Sequence, residues 1–346
     1  MGDDPFGTIL AGDRDAIARA ADCVASLPVD LDLTDGILPG EPGCETTIRK
    51  SVSVTGPGTF FRRALRTLTF EPAEGGDGWS FERSDLPDLL PIRVSVHNVW
   101  TTARNIVLCS GSPHNYMRMV EHIVALRYGM GIDNLRIRVD AGDPPLFDRG
   151  SLDLVEALES AGTVVQPRAP VYVTVREPVT VGAPNGGFLT LRPCTSTRPS
   201  LSLDCAVDFP TAIGRQRLKV DLSSQTFRRG AEARTNTTHA MMLYCRTIGQ
   251  LFADTRNLGY TPRNILIAGR RGYVNEAKMV HEGKSLEAVW HRTMLDLLAA
   301  LSLIDCGRLV GEVISYKAGH ALDVVLVRML YKHRLLHEMS FPKLTA

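Results

Sequence analysis

Leu68-Thr-Phe-Glu-Pro72 opens a pattern that runs through a turn and a strand to Asp85-Leu-Pro87. Leu189-Thr-Leu-Arg-Pro193 opens the same pattern and runs through a turn and a strand to Asp208-Phe-Pro210. Short alternating runs bounded by Gly and Pro read as strands in hairpins, so the same hairpin occurs twice. Further on, Gly131-Ile-Asp-Asn-Leu-Arg-Ile-Arg-Val139 leads through a turn to Gly150-Ser-Leu-Asp-Leu-Val155. Leu303-Ile-Asp-Cys-Gly-Arg-Leu-Val310 leads likewise to Gly319-His-Ala-Leu-Asp-Val324. Either match alone is common punctuation, but two in the same order are better explained by duplication. A sheet with one apolar face must cover it with a second layer. The expected fold class is therefore α+β: a duplicated two-layer sandwich, two sheet-plus-helix units packed with their helices inward.

Outward from the repeat, the chain divides into residues 1–47 as an N-terminal extension, 48–163 as a first α+β unit and 164–340 as a second. Within the extension, Asp15 to Leu27 has a short amphipathic helical pattern, and Pro28 to Thr47 is rich in Pro, Gly and Asp, as suits a tethered or docking arm. A length of 346 residues agrees with more than one core. With 39 basic and 38 acidic residues the net charge is +1, which supplies no general field for nucleic acid or an anionic membrane. No apolar run approaches the ~20 residues of a membrane span, and the acidic start reads as no signal peptide. Seven cysteines without C-x-x-C pairing suit reduced thiols in a cytoplasm. The expected partner is a small molecule, held locally.

Two helical stretches carry ionisable residues in apolar surroundings. Glu121 and His122 interrupt Tyr116 to Leu126; His291, Arg292 and Asp296 interrupt Leu286 to Leu301. Both helices hold the same place in their repeats, so both can face one cleft. Imidazole and carboxylate from facing helices are what an open zinc site needs: three protein ligands, a water and a nearby Glu as base. The turn Tyr316-Lys-Ala-Gly-His-Ala-Leu322 adds His320, a candidate general acid just before a helix.

At these residues the chain resembles the UDP-3-O-acyl-N-acetylglucosamine deacetylases, zinc amidases that commit lipid A synthesis. The resemblance runs from about Ile48 to Leu336. It rests on Val120-Glu121-His122, Gly131-Ile132-Asp133-Asn134, Ala233-Arg234-Thr235, Met294-Leu295-Asp296 and Lys317-Ala-Gly-His320-Ala-Leu322. The resemblance implies a two-unit α+β sandwich, Zn2+ held by His122 and Asp296, Glu121 activating water, His320 as the catalytic histidine and Thr235 assisting at the oxyanion.

The departures from the family pattern are local. The remaining zinc ligand is a histidine four residues before the aspartate, and the gapless match puts Arg292 there. In a regular α-helix, positions five apart lie ~140° apart, so His291 and Asp296 need a π-bulge to face one metal. Either the bulge restores His291 as the ligand, or the ligand is lost, since Arg stays protonated. The aspartate that partners the catalytic histidine is Ala300 here, which predicts a His320 without its carboxylate. Phe60 replaces the histidine of the first glycine turn, Asn236 replaces the aromatic after Thr235, and Asp148-Arg149-Gly150-Ser151 carries an extra residue.

Three functions follow. The first is a zinc-dependent deacetylase-like amidohydrolase acting on an N-acylated aminosugar or sugar nucleotide, with Lys317, Arg292 and Asn236 as substrate contacts. The second keeps the scaffold but loses the zinc and uses Glu121 and His320 for elimination, isomerisation or cyclisation in secondary metabolism, Arg292 standing in for the cation. The third is a non-catalytic binding protein.

Overall fold

Alternation along the first hairpin places Leu68 and Phe70 on a buried face while Thr67 and Thr69 face outward, where their hydroxyls pair with those of Thr55 and Ser53. The period of two that reads as strand in the sequence is thus the period of a half-buried sheet. The computed structural model describes residues 6–34, 43–59, 64–246 and 260–341; Phe60 lies outside the described residues. The first sheet is five-stranded, in the order Val52–Pro57, Leu65–Pro72, Leu135–Val139, Trp79–Arg83, Ile92–Arg93. Its outer face is solvated by Arg136 and Arg138 reaching Glu82 and Glu71.

The second sheet has the order Thr8–Ala11, Val179–Gly182, Phe188–Arg192, Gly311–Tyr316, Leu201–Phe209, Gly214–Asp221, Leu31–Leu33. Without its two edge strands, it repeats the first. In each, the last strand of the unit inserts between the second and third, antiparallel to the second and parallel to the third. The duplication read from the hairpins is therefore a duplication of topology. One detail shifts: the strand equivalent to Leu135–Val139 is Gly311–Tyr316 rather than part of Leu303 to Val310. Within the latter stretch, Arg308–Leu309 pairs with Tyr172–Thr174 in a separate small sheet.

Helices fill the space between the sheets. Glu121–Val124 continues as Leu126–Gly129, and these pack against Leu298–Leu301 of the second unit. One apolar cluster spans both, with Phe70, Phe81, Leu126, Trp290, Leu298 and Leu326 among its members. Arg127, which is 8% exposed, donates from Nη1 to the carbonyls of Ser302 and Ile304 at 2.7 Å each, capping the second unit's helix end with a side chain from the first.

The N-terminal segment is built into the second sheet. Thr8–Ala11 adds in parallel to one edge and Leu31–Leu33 to the other. Between them the helix Arg14–Ser26, capped by the Asp13 side chain, lays Ile17, Ala20 and Val24 on Phe188, Ala206 and Tyr316 of the outer face. Of Pro28 to Thr47, expected as a tethered or docking arm, residues 31–33 pair with the chain's own sheet, and Thr46 and Thr47 pair with Val165 and Val164.

Candidate active site

The Glu121–Val124 helix lies between two layers, with Ile123 and Val124 buried in the core and Glu121 and His122 at its start. Glu121 is 4% exposed; its Oε2 accepts from the Ile106 backbone N–H at 3.2 Å. Burial pushes its pKa up, and the His320 imidazole pulls it partly back. His122 presents Nδ1 to the Ser151 hydroxyl at 3.4 Å, and that hydroxyl donates to the His122 carbonyl at 2.9 Å. Burial first and His291 second lower its pKa to about 3, which keeps the imidazole neutral and its lone pair available.

The second helix changes step in the middle. Glu287–His291 is α-helical, Arg292–Leu297 is a π-helix and Leu298–Leu301 is α-helical again. In π geometry the backbone bonds run i to i+5, so residues five apart lie over one another. His291 Nδ1 accordingly lies 3.4 Å from Asp296 Oδ1. The His291 ring stands 5.4 Å from that of His122, centroid to centroid, at 61°. Of the two alternatives left by the sequence, the bulged register is the one adopted. Burial alone would raise the Asp296 pKa; the imidazoles of His291 and His320 hold it well below the ordinary carboxylate range.

His320 opens the helix His320–Lys332 after a turn in which Lys317 takes a left-handed φ of 49°. Its Nε2 lies 3.6 Å from Asp296 Oδ1 and 3.8 Å from Glu121 Oε1. Burial opposes its protonation, but Asp296, Glu121 and Asp323 together raise its pKa. The deficit expected from Ala300 is therefore made good: Ala300 is buried among apolar residues, and three other carboxylates act on His320. The His320 and Asp296 side chains keep 17% and 19% exposure, so this edge of the cluster meets solvent.

The remaining candidates make contacts of their own. Thr235 and Asn236 begin the strand Thr235–Thr238, paired with Ile265 and Leu266. Their neighbour Arg234 ties this strand to the His291 helix: Nε donates to Glu287 Oε1 at 2.6 Å and Nη2 to Oε2 at 3.0 Å, both side chains being fully buried. Lys317 directs its ammonium to Asp208, 3.8 Å away, and over the Tyr316 ring. Arg292 corrects its expected role. Arg292 is 6% exposed and its guanidinium is turned into the protein, donating to Asp323 Oδ1 at 2.5 Å and Ser315 Oγ at 3.1 Å, because in the π register it is His291, one residue earlier, that meets Asp296.

Sequence reasoning missed Ser151 and Asp323 as neighbours of the site. The repeat held the signal, because Gly150-Ser151 and Gly319-His320 occupy the same place at the start of equivalent helices. Gly150 is fixed there by a φ of 65° and by space, since a Cβ would fall 2.6 Å from the Ala231 carbonyl oxygen.

The donor set suits zinc: two neutral-capable imidazoles and one ionised carboxylate. Among the described residues no three such side chains are drawn in to closed metal geometry. His291 Nε2 and Asp296 Oδ1 are nevertheless buried without a hydrogen-bond partner, which is costly for polar atoms unless something else satisfies them.

The family model described as "LpxC: UDP-3-O-acyl N-acetylglycosamine deacetylase" matches residues 45–332. The UDP-3-O-acyl-N-acetylglucosamine deacetylase of Citrifermentans bemidjiense is 30% identical over 289 residues, 83% of this chain and 89% of its own length. That of Brucella ovis is 28% identical over 295 residues, 85% of this chain and 98% of its own. The chain belongs to the UDP-3-O-acyl N-acetylglycosamine deacetylase family. The N-terminal strands and helix of residues 8–33 lie outside the family match.

Proposed function

We propose that the protein is a zinc-dependent deacetylase that hydrolyses the amide of an N-acylated aminosugar carried on a sugar nucleotide, in a cytoplasmic setting. The observation that carries the reading is the π-turn, which brings His291 to Asp296 and within reach of His122, while His320 stands between Asp296 and Glu121. His122, His291 and Asp296 hold the metal in this reading. Zinc supplies Lewis acidity toward the amide carbonyl and toward water. Glu121, whose raised pKa keeps it a usable base, takes a proton from the attacking water. His320, whose protonated form is favoured by its three carboxylates against the cost of burial, faces the leaving amine and gives up its proton as the C–N bond breaks. Thr235 assists at the developing oxyanion. The products are a carboxylate and a free amine. The alternative in which Arg292 replaces the cation is not favoured, since its guanidinium is committed to Asp323.

The test is metal content of the native protein, followed by assay of acetate release from UDP-3-O-acyl-N-acetylglucosamine. Stoichiometric zinc, with turnover abolished by chelation and restored by zinc, supports the reading. A metal-free protein inactive after zinc loading overturns it.

A further inference from the structure

An extra residue in a helix that bears two ligands is a hazard, because a regular α-helix would separate His291 from Asp296. The ligands alone do not explain why the π register is kept, since their own contact is a single long one of 3.4 Å. The residue between His291 and Thr293 supplies the reason. Arg292 is the first residue of the π-helix, and its guanidinium reaches across to Asp323, one turn along the His320 helix, and to Ser315 on the central strand of the seven-stranded sheet. Asp323 is 1% exposed and Ser315 is 1% exposed, so the contact is made in the interior. At the same step Thr293 Oγ1 donates to the Val289 carbonyl at 2.7 Å, supporting the backbone where the ladder changes period.

As a source of stability this pair is poor. Arg292 Nε and Nη1 and Asp323 Oδ2 have no hydrogen-bond partner among the described residues, and two charges have been taken out of water. Buried ion pairs of this kind gain little net stability, and their best-attested use is to select one register over another. In an α-helical register Arg292 would turn by about one residue's rotation, ~100°, and leave Asp323 in the interior without its guanidinium partner.

We infer that the Arg292–Asp323 ion pair is a register lock: it holds the π-turn, and so makes Asp323 a positioning residue for the His291 and Asp296 pair. The lock rests on the proposed metal site only for its readout. Removing Arg292 shortens the segment to His-Thr-Met-Leu-Asp, in which the ligands are four apart and an ordinary α-helix suffices. The inference therefore predicts that breaking the lock harms metal binding and that removing lock and inserted residue together repairs it.

The experiment titrates Zn2+ into chelator-treated protein for the wild type, Asp323→Ala, and the double variant combining deletion of Arg292 with Asp323→Leu, with a crystal structure of the double variant. Asp323→Ala is expected to weaken zinc binding at least tenfold, the scale of a lost supporting contact, and the double variant to bind within threefold of wild type on a continuous α-helix. Wild-type affinity in Asp323→Ala overturns the lock, as does a double variant that binds no better than Asp323→Ala. Should Asp323→Ala fail to fold, the double variant decides alone. A wild type that binds no zinc overturns the proposed function instead, and the lock is then read from the helical register in the double variant, where a retained π-turn overturns it.

Discussion

The Ser151 hydroxyl holds both ends of His122, lying 3.4 Å from Nδ1 and donating to the backbone carbonyl at 2.9 Å. A side chain that grips an imidazole and its own backbone fixes the ring's tilt, which is the role of outer partners in metal sites. Ser151→Ala is expected to weaken zinc binding about tenfold or more while leaving the thermal transition nearly in place, checked by metal titration and calorimetry. Unchanged affinity would remove Ser151 from the site.

Glu121 is buried and faces His320, but it is not among the three proposed ligands. Glu121→Gln preserves its shape and its ability to accept from the Ile106 N–H. Turnover is expected to fall by about 10²–10⁴ with zinc stoichiometry unchanged, measured by deacetylation rate and metal analysis on the same preparation. Loss of the metal along with the rate would make Glu121 a ligand rather than a base.

Glu287 accepts from the Arg234 backbone N–H, Arg234 Nε and Nη2, and the Lys278 backbone N–H, so its carboxylate is fully satisfied in the interior. Glu287→Ala leaves Arg234 an uncompensated buried cation. Breaking a pair of this kind costs about 3–5 kcal/mol, to be read from urea unfolding. A cost below ~1 kcal/mol would mean that water reaches the guanidinium.

Ile17 is 2% exposed and fills the space above Gly182, whose added Cβ would come 2.7 Å from its side chain. Ile17→Ala is expected to cost about 2–5 kcal/mol within one cooperative transition. A separate early transition in the variant would show that the N-terminal helix melts independently of the sheet.

Much of this architecture is legible in the residues. Period-two runs such as Leu65 to Phe70, and their recurrence near Leu189, give both sheets, because a half-buried strand writes its face into every second position. Glu121, His122, His291, Asp296 and His320 stand out because ionisable groups in apolar helices need a reason. What the residues hide is register. Spacing alone allows His291 and Asp296 to part or to meet, and the choice lies with Asp323 and Ser315, neither of them near the insertion in sequence. The surroundings of Lys317 are hidden for a similar reason: Asp208 reaches it and Tyr316 only through strand pairing. The edge strands are hidden too, since Thr8–Ala11 and Leu31–Leu33 are too short to announce themselves without the sheet they complete.

Those two short strands change the exposure of the seven-stranded sheet. Without them, Val179–Gly182 and Gly214–Asp221 would be its borders, offering rows of unpaired amide and carbonyl groups to any extended chain nearby. The first strand also brings Thr8 to Glu177, and Asp30, just before the second, receives Lys284 from the hairpin preceding the His291 helix, so each closure is pinned by a polar side chain. A segment outside the family match thus closes both margins of the sheet: cutting it away would leave two rows of unpaired backbone groups where extended chains can add.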